Sequence, residues 1–426
     1  MTARADLVEQ FKKAFCADDA ASCAELLDRH PELKADINEP VGPFDSPLIT
    51  NVRTREMLDV LLAAGADINA RSRWWAGGFG LLDSAKPELA AYAIQRGAMV
   101  DIHSAARLGM IDMLVEFISA KPESVNSRGG DGQTPLHFAS TVEVARYLLD
   151  HGAAVNARDI DHESTPAQYM VRDRQEIVRF LIERGCETDL LMASAIGDAK
   201  LVQQHLERNP DSIRIRVNEA YFPKANPRSG GTIYQWTLGS NVSAHDVAKE
   251  FKHDDIFRLL MDRSPPDVRL LAACWSGDEV AVQSLLESQP DLAASLVNAH
   301  GRQVADAARN NNFPAVRLML AAGLPVNALG QHSATPLHWA GFHGNLEMTN
   351  EILRHQPALE LKDADFNSSP LGWAIHGSEN GWYCRTGNYA GTVEAMLNAG
   401  AKPPEKLSGT QSVKEVLRKQ RVNESD

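Results

Sequence analysis

Two distant segments of the chain begin with the same four residues, Thr-Pro-Leu-His, at positions 134–137 and 335–338. Weaker copies of this start occur elsewhere, and an apolar pair shortly before a glycine recurs along the chain at Gly65, Gly97, Gly152, Gly185, Gly323 and Gly400. A motif that returns in this way predicts an array of small units, none of which can bury its own apolar face. Because successive units must then stack to build one core, the apolar residues of the stacked faces are expected to be structural.

The segment around the first copy indicates how one unit folds. Thr134 can act as a helix N-cap, and Pro135 then occupies the first helical position, where its missing N–H costs nothing. Apolar residues follow at helical spacing, and Gly152 is suited to a left-handed helix end. Each unit is therefore predicted to be a pair of helices.

The pattern resembles the ankyrin repeat, whose units of about 33 residues open with T-P-L-H and close with Gly-Ala and an Asn. The resemblance covers essentially the whole chain, and its two complete Thr-Pro-Leu-His copies are specific. It implies an all-α solenoid of stacked helix pairs with β-hairpin-like fingers, with about 11 to 12 repeats in a single array over residues 1–426. It also implies a binding module without catalysis, since known ankyrin arrays mainly bind other proteins through their fingers and first helices.

The sequence also shows a second period that is longer than one repeat. Four stretches without Thr-Pro-Leu-His share small residues, an apolar helical segment and a proline followed by an acidic residue, at Pro31, Pro122, Pro210 and Pro290. Their spacing predicts four blocks, at about 4–100, 101–188, 189–267 and 268–404, each opened by a repeat without a finger. The segment 410–422 is expected to be a capping helix over the last repeat.

The composition of the chain argues against several classes of function. Lys and Arg number 43 against 56 Asp and Glu, a net charge of −13, and so acidic a surface disfavours a general nucleic-acid binder. No apolar run approaches the ~20 residues of a membrane helix, and the charged start has no signal-peptide core. The five cysteines form no CxxC pair, which is typical of reduced thiols. We expect a cytoplasmic monomer that binds neither nucleic acid nor membrane and uses no cofactor.

Function in a repeat protein concentrates where the loops depart from the repeat. Aromatic and charged residues gather in the fingers at 71–80, 159–166 and 331–343, in an insertion at 218–240 and in another within 371–389. The aspartates shared by the two fingers at 159–166 and 362–370 are expected to be turn formers. The side chains predicted to bind a ligand are Arg73, Trp74, Trp75, Phe79, His162, Glu163, Tyr234, Trp236, His332, Trp339, Trp373, His376 and Trp382.

Each of these loops also has a structural interpretation, in which its aromatic residues pin the loop or cover the end of the core. The Thr-Pro-Leu-His histidine His338 is expected to be a structural hydrogen-bonding residue. His338 and His343 are five residues apart and do not share one helix face, so no metal site is predicted.

The sequence contains no phosphate-binding loop, dinucleotide fingerprint, HExxH pair or nucleophile elbow, and it leaves open whether the protein is an enzyme. If it is one, we expect a hydrolase, with candidate catalytic residues Asp161, His162, Glu163 and Glu379. Three functions stay open: a module that binds a partner protein, a site for a small polar, sugar-like ligand with or without glycoside hydrolysis, or a structural or assembly role. Loops that converge on one closed pocket with two facing carboxylates would favour the enzyme, and loops spread along an open face would favour protein binding.

Overall fold

The computed structural model describes residues 2–423 and consists of helices and loops, with no β-strand in that range. Its two isolated β-bridges join Gly42 to Ser46 and Arg216 to Ser243. The predicted all-α class is confirmed. Two compact units are described separately below: unit 1 runs up to Thr188 and includes Phe222–Ile233, and unit 2 comprises Asp189–Tyr221 and continues from Tyr234.

Unit 1 is built from helix pairs, and after the first pair a short first helix or turn precedes a longer second helix. Its α-helices are α1 (Thr2–Cys16), α2 (Ala20–Arg29), α3 (Arg55–Ala63), α4 (Pro87–Gln95), α5 (Ile102–Leu108), α6 (Ile111–Ala120), α7 (Pro135–Phe138), α8 (Val142–Asp150), α9 (Pro166–Met170) and α10 (Gln175–Glu183). Its 3-10 helices are Pro31–Asp36, Pro43–Asp45, Leu48–Asn51, Leu81–Asp83, Pro122–Asn126 and Gly130–Gly132. The 3-10 turns at Leu48–Asn51 and Leu81–Asp83 take the place of the first helix before α3 and α4.

Unit 2 repeats the same plan with longer first helices. Its α-helices are α11 (Leu190–Ala195), α12 (Ala199–Arg208), α13 (Tyr234–Thr237), α14 (Ala244–Glu250), α15 (Asp254–Arg263), α16 (Pro266–Ser276), α17 (Glu279–Ser288), α18 (Leu292–His300), α19 (Gln303–Arg309), α20 (Phe313–Ala321), α21 (Pro336–His343), α22 (Leu346–Arg354), α23 (Pro370–Asn380), α24 (Tyr389–Asn398) and α25 (Gln411–Asn423). Its 3-10 helices are Pro210–Arg214 and Gln331–Ser333. Helix α25 packs on α24 through the fully buried Val413 and Leu417. No described helix in either unit is long and apolar enough to cross a membrane.

The Thr-Pro-Leu-His motif starts its helix as the sequence predicts. Thr134 is the N-cap of α7 and Pro135 is its first residue. The backbone N–H of Thr134 donates to Nδ1 of His137 at 3.1 Å, while Nε2 of that ring lies 3.1 Å from the carbonyl oxygen of Ser164 in the next finger. His338 makes the same contacts with Thr335 and Ser368, which confirms its structural role.

The four prolines of the longer period occupy equivalent positions. Each proline directly follows the C-cap residue of a second helix. These four C-cap residues have φ between −129° and −148° and ψ between 73° and 97°, and they are His30, Lys121, Asn209 and Gln289. After the first three the chain enters a 3-10 helix, and after Pro290 it enters α18. The proline pattern therefore marks one recurring turn.

Asparagine side chains hold neighbouring repeats together within unit 1. The side-chain amide of Asn69 donates to the carbonyl oxygen of Gly97, and its oxygen accepts from the N–H of Met99. Asn126 repeats this arrangement two repeats later, on Gly152 and Ala154. The Gly-Ala turn of one repeat is thus fastened by the preceding repeat, which explains why the two motifs recur together.

Candidate functional site

The residues singled out in the sequence divide between the two units. Unit 1 contains Arg73, Trp74, Trp75, Phe79, Asp161, His162 and Glu163. Unit 2 contains Tyr234, Trp236, His332, Trp339, Trp373, His376, Glu379 and Trp382.

The two tryptophans of the first irregular finger have different surroundings. Trp74 packs edge-on against Phe44 with ring centroids 5.0 Å apart, and Phe44 also contacts Phe79 at 5.8 Å. Trp75 lies under the guanidinium of Arg228, 4.4 Å from the ring centroid, in the segment 222–233. Trp74 therefore follows the structural interpretation, while Trp75 pairs with an arginine of the insertion.

Two arginines of this finger also differ in role. Arg71 forms ion pairs with Asp83 and Asp101 and donates to the carbonyl oxygen of Gly78, so it organises the finger. Arg73 is exposed, and its backbone N–H donates to the carbonyl oxygen of Asp45.

Glu163 fastens the insertion to the neighbouring finger. Its two carboxylate oxygens accept from the backbone N–H groups of Ala225, at 2.8 Å, and Asn226, at 2.7 Å. Both bonds span more than sixty residues of sequence. Through these two bonds Glu163 tethers the loop, a role that the sequence did not predict.

Of the aspartates shared by the two fingers, Asp159 and Asp363 are turn formers, as predicted. Asp159 accepts from the N–H groups of His162 and Ser164, and Asp363 accepts from those of Asp365, Phe366 and Ser368. Each carboxylate also accepts from an aromatic residue ten positions later, the Tyr169 hydroxyl in one finger and the Trp373 indole in the other.

A group that could hold a metal ion lies beside the first of these turns. The potential ligand atoms of Asp131, Asp161 and His162 all lie within 4.8 Å of one another. Burial and the neighbouring carboxylates of Asp161 and Asp159 raise the pKa of Asp131 to about 6, although the nearby His162 lowers it. Sequence analysis missed Asp131, because its partners belong to the next finger.

In unit 2, several of the predicted ligand-binding aromatics are part of the interior. Trp339 on α21 and Trp373 on α23 are buried and pack edge-on with centroids 5.0 Å apart. His332 contacts both rings at 6.2 Å and 6.3 Å. Tyr234 is completely buried, and its hydroxyl donates to Asp189 at 3.0 Å. Tyr234 therefore has no surface to offer a ligand.

Two other predicted tryptophans are exposed and line one cavity. Trp236 on α13 is 61% exposed and Trp382, in the loop between α23 and α24, is 53% exposed. They line a cavity of about 680 Å³ together with Trp275 and Tyr383. The loop can approach α21 because Gly381 has no side chain, since a Cβ there would lie 2.6 Å from the carbonyl oxygen of Phe342. Its neighbours His376 and Glu379 are exposed on α23 outside the cavity lining.

Arg309, at the end of α19, is the most unusual residue of this cavity. Only 6% of it is exposed, and its guanidinium lies 5.6 Å from the ring centroids of both Trp339 and Trp382. Its guanidinium makes no hydrogen bond or ion pair within the described part of the chain, and its buried Nε has no acceptor, whereas its backbone carbonyl accepts from Nε2 of His343 at 2.9 Å. Burial lowers its pKa, an effect that Asp306 partly offsets.

The remaining charges of the cavity come from α14. Asp246 is largely buried, and its Oδ2 accepts from the N–H and hydroxyl of Ser243 and lies 3.9 Å from Arg216, while its buried Oδ1 has no hydrogen-bond partner. Burial raises the pKa of Asp246. Lys249 and Glu250 lie at the exposed rim. The cavity therefore combines aromatic walls, one buried cation without an acceptor and charges of both signs.

The sequence carried a signal for Arg309 that was overlooked. Trp275, Arg309 and Phe342 each lie three residues before the N-cap of the following helix, in consecutive repeats. Large side chains at this position face the cavity or the rings beside it, so the register of the repeat could have identified Arg309 as a candidate.

Comparison with known proteins points to one family. The family model for ankyrin repeats, in three copies, matches residues 102–192. The human ankyrin repeat and SOCS box protein 6 is 26% identical over 227 residues, 49% of this chain and 47% of that protein. The rat ankyrin repeat and SAM domain-containing protein 6 is 27% identical over 135 residues, 31% of this chain and 15% of that protein. The alignments thus span less than half the length of these curated relatives.

Proposed function

Because the chain is an ankyrin-repeat protein, we propose that it is a binding module for a partner protein, and that the cavity lined by Arg309 receives an acidic side chain of that partner. Ankyrin repeats generally mediate protein–protein interaction, and the family therefore supports the first half of the proposal. The second half rests on Arg309 itself.

The isolated position of Arg309 is the observation that carries the proposal. A buried cation without an acceptor is costly, because burial removes water without supplying a replacement partner. Two tryptophan faces compensate only in part, since a cation–π contact contributes roughly 0.5–2 kcal/mol. A carboxylate entering the cavity would accept two parallel hydrogen bonds from the guanidinium, which is the geometry that arginine favours.

The aromatic walls indicate what surrounds that carboxylate. Trp236 and Trp382 expose large apolar faces with polar edges, and tryptophan and arginine are the residues most enriched at the energetic centres of protein interfaces. A partner segment that carries an acidic residue next to an apolar one therefore fits the cavity best.

A small polar ligand is the second candidate, and the cavity volume favours it. About 680 Å³ lies within the range of small-molecule sites, and aromatic faces beside charged groups suit a sugar-like acid. The glycoside-hydrolase version has less support, because Asp161, His162, Glu163 and Glu379 are all absent from the lining of this cavity. A monomeric state and a cytoplasmic location stay predictions from the sequence.

The two candidates can be separated with defined probes. Fluorescent peptides that carry Asp or Glu beside Leu or Trp would be titrated against the protein, with Asn or Gln analogues as neutral references and glucuronate and glucose as small-molecule probes. We expect the acidic peptides to bind, and Arg309→Gln to weaken them at least tenfold.

The control is Arg317→Gln, which removes an exposed arginine of α20 that pairs with Glu279. It should bind like the unmodified protein. Equal binding of acidic and neutral peptides, or full binding by Arg309→Gln, would contradict the role of Arg309. Binding of glucuronate alone would favour the small-ligand candidate.

A further inference from the structure

A second group of polar side chains in unit 1 is independent of the cavity. Asp131 belongs to the finger before α7, and Asp161 and His162 belong to the finger before α9. Nε2 of His162 lies 3.6 Å from Oδ2 of Asp161 and 4.0 Å from Oδ2 of Asp131. One imidazole nitrogen and two carboxylates thus converge on one point.

The imidazole is oriented by a backbone carbonyl group. Nδ1 of His162 lies 2.8 Å from the carbonyl oxygen of Gly231, which can only accept, so Nδ1 carries the hydrogen. In the neutral ring, Nε2 then presents its lone pair to the two carboxylates. Tyr169 packs edge-on against the His162 ring. On another side Gly230 lies so close that a Cβ there would be 3.1 Å from Cε1 of His162. Metal-binding histidines are held in this way by a second hydrogen bond from the ring.

The two carboxylates are held close together without a basic partner other than the histidine. Oδ1 of Asp161 accepts from the N–H of Gly230, which leaves Oδ2 available. Oδ1 of Asp131 and the indole Nε1 of Trp74 are both buried without a hydrogen-bond partner, and the indole is near enough to the carboxyl to lower its pKa slightly. Within the described chain, neither aspartate forms an ion pair with Lys or Arg.

The backbone fixes these positions. The carbonyl oxygen of Asp131 accepts from the N–H groups of both Ile160 and Asp161, and the N–H of Asp131 donates to Gly77 in the preceding finger. Three successive fingers therefore hold the aspartates near each other although like charges repel. A bound cation would remove this repulsion.

We propose that Asp131, Asp161 and His162 form a binding site for a divalent transition-metal ion such as Zn²⁺ or Mn²⁺. A mixed nitrogen and oxygen ligand set suits these ions better than Ca²⁺ or Mg²⁺, which prefer oxygen alone. Tetrahedral ligands at about 2.1 Å from Zn²⁺ lie roughly 3.4 Å apart, close to the separation of His162 from Asp161. Asp131, at 4.0 Å from Nε2 of His162, needs to approach the histidine by about half an ångström. This assignment replaces the expectation from sequence that the chain holds no metal.

The test uses the full-length chain without an affinity tag, stripped with a chelator and titrated calorimetrically with ZnCl₂ and with MnCl₂. We expect one equivalent of at least one of the two ions to bind and to raise the melting temperature. His162→Gln and Asp131→Asn should each weaken this binding at least tenfold.

The matched control is His332→Gln in unit 2, where His332 faces Asp365 but the described fingers supply no second carboxylate at that place. It should bind metal like the unmodified chain. The metal-free Asp131→Asn protein should melt no lower than the unmodified one, since it loses a repulsive charge, so a loss of binding there cannot be ascribed to unfolding. If Asp131→Asn does melt at a lower temperature, the metal affinity of His162→Gln becomes the deciding measurement. Absence of saturable binding, or unchanged binding by His162→Gln, would overturn the proposal.

Discussion

Replacing Glu163 by Gln should release the insertion at 222–233 without unfolding unit 1. Each carboxylate oxygen of Glu163 accepts one backbone N–H, from Ala225 and Asn226. Gln keeps one acceptor oxygen and loses the charge, so one bond disappears and the other becomes a neutral one.

The size of the effect follows from these two bonds. A hydrogen bond to a charged group contributes about 1.5–3 kcal/mol and a neutral one about 1 kcal/mol. Glu163 is only half-buried and solvent screens its charge, which reduces the loss to about 1–2 kcal/mol. Opening of the insertion should then become roughly 5- to 30-fold more frequent, since about 1.4 kcal/mol corresponds to a factor of ten.

Limited trypsin digestion measures this opening directly, because Lys224 and Arg228 lie inside the tethered segment. Cleavage of a transiently opened loop follows the population of its open state when opening and closing are fast. The first cut in Glu163→Gln should therefore appear 5- to 30-fold sooner, with the main thermal transition shifted by no more than a few degrees.

Glu187→Gln is the control, since Glu187 pairs with Arg158 at an exposed position of the same unit. It should be cleaved like the unmodified protein. An unchanged cleavage rate in Glu163→Gln would refute the tethering role and return Glu163 to the candidates for direct ligand contact.

Three further predictions concern stability. Leu148→Asp should unfold the repeats around it, because Leu148 is fully buried and an unpaired charge there costs several kcal/mol, and a soluble variant with unchanged melting by circular dichroism would disprove the register. Asp363→Ala should lower the melting temperature by removing the acceptor of three backbone N–H groups of its finger, whereas Asp365→Ala, which removes an exposed carboxylate of the same finger, should have a smaller effect. Burial lowers the pKa of His245 to about 4, so the unfolded chain takes up a proton at this residue before the folded protein does, and the folded protein loses stability as the pH falls from about 6.5 to about 4. Over that interval the melting temperature of His245→Gln should rise progressively relative to that of the unmodified protein. A difference that stays constant with pH would contradict this.

Local signals in the sequence were sufficient to predict the fold of the repeat unit. The N-cap at Thr134, the structural histidine His137 and the turn-forming Asp159 act on atoms a few residues away or on the next repeat in a fixed register. Their positions follow from helix capping and from the constant offset between stacked repeats, so a single sequence determines them. The same reasoning placed the recurring proline turn correctly.

Only the tertiary structure decided which irregular side chains are available for binding. Tyr234 and Trp236 are two residues apart, yet one is fully buried and the other is 61% exposed. Glu163 meets an insertion more than sixty residues away, and Arg309 lies beside Trp382 from a loop that the repeat pattern does not contain. Insertions have no repeat register, so their positions depend on packing and hydrogen bonds between distant segments, and no local pattern in the sequence encodes those contacts.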